Sequence, residues 1–92
     1  MIRWAPAAGR QLREIHAYIS EQDPRTAAIV LGRIRDVAQT IDQFPLAGRL
    51  GWTQGTREIV VPRTPYILIY RVAGDVVVIA RIRHGAQRWP PR

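Results

Sequence analysis

The sequence predicts an α+β domain of two layers, with helices packed on one face of a mainly antiparallel sheet. Three observations lead there. In the first half of the 92-residue chain, apolar residues recur every three or four positions; in the second half they cluster in short β-branched and aromatic runs; prolines and glycines stand where the rhythm changes. Residues 1–92 are expected to form a single domain, because a chain of this length supports one core.

The opening residues, MIRW, alternate apolar with polar and suit a short strand added at one sheet edge. Pro6 fits the first turn of a helix, where a missing N–H costs nothing. Ala8, Leu12, Ile15 and Ile19 then share one helical face, giving a first helix from Pro6 to about Glu21. Asp23-Pro24 is an N-cap carboxylate followed by proline at N1. The stripe Ala27, Val30, Leu31, Ile34, Val37, Ala38, Ile41 and Phe44 carries a second helix until Pro45 stops it. So few residues separate the helices that they should form an antiparallel hairpin with both stripes turned to a shared layer. Residues 45–56, PLAGRLGWTQGT, show no period and read as a loop. Segments 57–61, 66–72 and 75–82 read as a three-stranded antiparallel meander, with a hairpin turn at Ala73-Gly74.

Apolar residues make up 47% of the chain, too many for a disordered segment, yet no run approaches the roughly 18 to 20 residues of a membrane span. The N-terminus lacks the apolar core of a secretory signal and cysteine is absent, so the expectation is a cytoplasmic protein without disulfides and without membrane partners. All fourteen basic residues are arginine and the net charge is +7. Residues 1–56 hold seven arginines against five acids, a net +2, whereas residues 57–92 hold seven against Glu58 and Asp75, a net +5. A field of that sign suits a polyanion or an acidic protein.

The densest stretch is RIRHGAQRW, Arg81 to Trp89. Without a bulge, Val77, Ile79, Arg81 and Arg83 share one face of the last strand and Val76, Val78, Ala80, Ile82 and His84 the other. Antiparallel pairing groups Arg81, Arg83 and His84 with Tyr66 and Arg63 at one sheet end, and leaves Arg71 at the opposite end. Arginine stays protonated, so Arg81 and Arg83 can clamp a phosphate and offset its charge but cannot act as bases. His84 is the titrating group that can move protons. Arg57 and Arg63 are candidates for supporting phosphate contacts, and Tyr66 or Trp89 for stacking on an unpaired base. The same residues also fit plainer roles: a solvated arginine rim or a dock for an acidic partner, a hydrogen-bonded structural His84, and Trp89 as a lid on the core. Trp4, Trp52 and Tyr70 read as packing residues and His16 as a helix-flank residue. No carboxylates pair on a shared face, so no metal site and no cofactor are expected.

FPLAGRLG at 44–51, GTREIVV at 55–61, PYILIYRV at 65–72 and IARIRHGAQRWP at 79–90 together resemble the RelE/ParE superfamily of toxins from type II toxin–antitoxin modules. The resemblance implies a small bacterial toxin held inactive by a cognate antitoxin that wraps it, and a link to operator DNA only through that antitoxin. RelE-like members cut mRNA in the ribosomal A site without metal, using basic residues with a C-terminal Tyr or His. ParE-like members inhibit DNA gyrase and are not nucleases. Arg57 and Arg83 resemble basic residues of the RelE-like nucleases, and His84 lies close to their C-terminal aromatic or histidine. The first expectation is therefore ribosome-dependent mRNA cleavage, with Arg81 and Arg83 on the phosphate and His84 moving protons. The alternative is a non-enzymatic gyrase inhibitor.

Overall fold

A computed structural model of the chain describes residues 1–86. Its elements run β1 (Ile2–Trp4), α1 (Pro6–Gln22), α2 (Pro24–Gln43), β2 (Arg49–Leu50), β3 (Arg57–Val60), β4 (Tyr66–Ala73) and β5 (Val76–His84). The sheet order is β1-β5-β4-β3-β2, antiparallel throughout except that β1 lies parallel to β5. Both helices pack on one face, so the fold is the two-layer α+β arrangement that the periodicities predict. No helix among the described residues is long and apolar enough to cross a membrane.

Local chemistry explains the element boundaries. Pro6 opens α1, and the Ala5 N–H, just before it, extends the β1–β5 pairing to the Ile79 carbonyl at 2.9 Å. Asp23 caps α2 through its carboxylate, which accepts from the Arg25 N–H at 3.0 Å and the Thr26 hydroxyl at 2.9 Å. Those two contacts hold the Asp23 carboxyl below its ordinary range, the Thr26 hydroxyl contributing most. Val30, Ile34, Val37, Ala38 and Ile41 of α2 meet Leu68, Tyr70, Val77, Ile79 and Ile82 of the sheet in one buried cluster. Ile2, Trp4, Leu12, Ile15 and Ile19 pack at its margin.

Five expectations are corrected. The segment 45–56 is not all loop, since Arg49 and Leu50 pair with Glu58 and Arg57 as a two-residue edge strand. Phe44 ends the α2 stripe in solvent, because it is the C-cap rather than a helical residue. Trp52 does not pack inward; it is 70% exposed on the loop after β2. The β4–β5 hairpin turns on Gly74-Asp75, one residue later than read, because Ala73 pairs with Val76 and Gly74 takes the left-handed conformation at φ 63°. Finally, a β-bulge interrupts β5: Ile69 faces Arg81 while the next residue, Tyr70, faces Ile79, so Ala80 is the extra residue.

The bulge moves every side chain beyond it to the other face. Ile82 and His84 join Val77 and Ile79 on the helix side, and Arg81 and Arg83 join Val76 and Val78 on the face the helices do not cover. Two guanidinium groups that unbroken alternation would drive into the apolar layer are thereby kept out of it.

Candidate functional site

Cross-strand register defines the open face. Arg3 of β1 and Arg71 of β4 flank Val78 of β5; Arg81 lies opposite Ile69, which lies opposite Glu58, which lies opposite Arg49; Arg83 lies opposite Ile67 and then Val60. Among the described residues, five arginines and one carboxylate therefore share this surface. The carboxylate sits at its centre of charge. Glu58 is only 5% exposed, and its Oε1 accepts from Arg49 Nη2 at 3.1 Å and from Arg83 Nη2 at 3.4 Å, while Oε2 accepts from the Trp52 N–H at 3.2 Å. Burial pushes the Glu58 carboxyl upward, but the Trp52 N–H, the Arg49 and Arg83 bonds and the Arg83 charge together outweigh it, and the group is held below its ordinary value. Arg83, with an 11% exposed side chain, is thus ion-paired inside the fold, whereas Arg81 is exposed.

His84 and Tyr66 stand on the opposite, helix-side face, paired across β4 and β5. Their rings meet edge to face, with centroids 5.6 Å apart and planes at 89°. His84 Nδ1 accepts from the Ala86 N–H at 3.0 Å, which fixes the ring within its own turn. Burial, then the nearby Tyr18, pushes the Tyr66 phenol above its ordinary value of 10.0, so it is a hydrogen-bond donor and not a base near neutral pH.

The remaining candidates are held elsewhere. Arg63 occupies the β3–β4 turn in a left-handed conformation, φ 59°, and its carbonyl accepts from Arg33 Nη1 at 3.0 Å. It lies at the same sheet end as Tyr66 and His84, as expected. Arg57 does not join that group. It sits in the row of Tyr70 and Ile79, and its Nη1 donates to the carbonyls of Gly48 at 2.8 Å and Leu46 at 3.4 Å. Its charge holds a loop. Trp89 lies outside the described residues.

The expected constellation is thus divided: the structure brings Arg81 and Arg83 together, and separately His84 with Tyr66, but a sheet lies between the two pairs. Sequence reasoning missed Glu58 and Arg49. A signal existed, because an acidic residue inside a β-branched strand is disfavoured without a partner. The bulge at Ala80 left none.

A family model described as the ParE toxin of the type II toxin–antitoxin system parDE matches residues 2–89. The chain belongs to that family, within the RelE/ParE superfamily of type II toxins. It is 42% identical over 89 residues to the Y4kP protein of Sinorhizobium fredii, covering 97% of this chain and 92% of that one. It is also 34% identical over 84 residues to Toxin RelE2 of Caulobacter vibrioides, covering 91% of this chain and 93% of the relative. Among solved structures, the chromosomal ParDE toxin–antitoxin system from P. aeruginosa superposes with a TM-score of 0.81 at 26% identity, over 90% of this chain and 92% of that one.

Proposed function

We propose that this type II toxin acts in the cytoplasm by binding rather than by cleavage: its open-face arginines meet an acidic protein surface, as the resemblance to gyrase-inhibiting ParE-like toxins implies, and a cognate antitoxin neutralises it. The observation that carries this reading is the separation of His84 from Arg81 and Arg83 by the sheet. A proton-transfer group must come within about 2.6 to 3.2 Å of the atom it serves. A phosphate clamped on the open face is out of reach of a ring on the helix side, and Arg83 is already engaged by Glu58. The residues alone favour mRNA cleavage; the geometry favours a binding surface. The match to the ParE model and the likeness to the P. aeruginosa ParDE structure support the same side.

Two assays on the purified toxin test the reading. DNA gyrase supercoiling should be inhibited, and Arg81→Ala should weaken that inhibition, while primer extension on translating ribosomes should show intact mRNA. Discrete A-site cuts that vanish in Arg83→Ala and His84→Ala would replace this reading with the nuclease.

A further inference from the structure

Segment 44–56 combines a fixed backbone with outward apolar side chains. The buried Tyr70 hydroxyl accepts from the Gly48 N–H and donates to the Pro45 carbonyl, each at 2.8 Å. Arg57 holds the carbonyls of Leu46 and Gly48, Glu58 holds the Trp52 N–H, and the Gly51 N–H pairs with the Thr56 carbonyl at 2.8 Å. Upon this frame, Leu46 is 70% exposed and Leu50 78% exposed. Phe44 and Trp52 of the same segment also stand in solvent. Ordering a backbone in order to expose leucines has no benefit for the isolated fold; it is the arrangement of a pre-organised contact.

Leu46, Leu50, Val72, Gly55, Thr56 and Arg57 line a groove of about 240 Å³ there. That is below the roughly 300 to 1,000 Å³ of small-molecule pockets and suits an anchoring side chain of a peptide. Arg57 is its one charged lining residue and takes part in none of the ion pairs among the described residues. No acidic residue lines the groove. A second copy of this chain would bring another +7 charge to a cationic rim, so charge complementarity selects an acidic occupant.

We propose that this groove docks an acidic and apolar segment of the antitoxin, with one branched or aromatic side chain seated among Leu46, Leu50 and Val72 and one carboxylate on the Arg57 guanidinium. The inference rests on the toxin–antitoxin reading and adds where the partner grips.

The test is calorimetric titration of the full-length toxin with the full-length antitoxin encoded beside it, at low and high salt. Leu46→Glu and Leu50→Glu each place a carboxylate where the partner's apolar side chain would lie, and both positions are exposed, so the fold should survive, as unchanged thermal melting would verify. Each is expected to weaken the complex at least tenfold, whereas Ile29→Glu, a change at an exposed apolar site on α2, should stay within twofold. Affinity within twofold of wild type for both glutamate variants would overturn the proposal. So would self-association of the toxin that Leu50→Glu abolishes without changing antitoxin affinity, which would make a second copy the occupant. Failure of the wild-type toxin to bind the antitoxin at all would sink the toxin–antitoxin reading and the dock with it, a result distinct from a complex that ignores the groove.

Discussion

The buried Tyr70 hydroxyl serves two backbone groups, accepting from the Gly48 N–H and donating to the Pro45 carbonyl. Tyr70→Phe should therefore cost about 1 to 3 kcal/mol in a denaturation measurement, since it leaves the buried Gly48 N–H without an acceptor. Gly48→Ala attacks the same contact from the other side, because a Cβ there would lie 2.6 Å from the Tyr70 hydroxyl oxygen. Glu58 governs the open face in a comparable way. Glu58→Gln removes the shared counter-charge of Arg49 and Arg83 and should destabilise by about 3 kcal/mol at pH 7, in line with breaking a buried pair. The sign of its pH dependence follows from the lowered carboxyl. Its contribution is complete above the ordinary glutamate value of 4.5 and is lost as pH falls through the folded value, so wild type and variant should converge in stability toward pH 3. A gap that stays constant from pH 7 to pH 3 would show that the charge of Glu58 does not matter. Tyr70 was legible as core from its flanking isoleucine; its hydroxyl's partners were not, since they lie 22 and 25 residues away in sequence.

At the level of elements, the helices were readable because each repeats one contact pattern over several turns, and a propensity error at one position is averaged away. Pro6, Asp23, Pro24 and Pro45 marked their ends through backbone chemistry that acts locally. Ile34 lies at the centre of the α2 stripe with no exposure, and Ile34→Ala should cost about 2 to 5 kcal/mol, read as a lowered denaturation midpoint with an unchanged slope. The two-residue β2 was illegible because its only warrant is pairing with β3, and the bulge at Ala80 because it arises from register against β4, a property of two strands together. That bulge is why the candidate site was half read. Arg81, Arg83, His84, Tyr66 and Arg63 lie toward one sheet end, but the faces of Arg81 and Arg83 were reversed. Deleting Ala80 joins Ile79 directly to Arg81 and so leaves Ile82 in the core and both guanidinium groups on the open face; such a variant is expected to keep its fold, read as a cooperative thermal transition without binding of a hydrophobic dye.

For the molecule as a whole, charge is the strongest asymmetry. One face displays Arg3, Arg49, Arg71, Arg81 and Arg83 around a single internal carboxylate, while the other buries the apolar contacts. Association with an acidic partner should accordingly be steered over distance, and the association rate, measured by stopped flow, should fall about tenfold or more from low to high salt. A rate indifferent to salt would mean the arginines contribute only solubility. The parallel pairing of residues 2–4 with residues 77–79 adds a constraint of timing. On the ribosome, the first strand emerges early and must wait for nearly the last one before it finds its neighbour. The β1–β5 pairing therefore forms only after residues 77–79 have emerged, so this edge of the sheet is completed later than either helix.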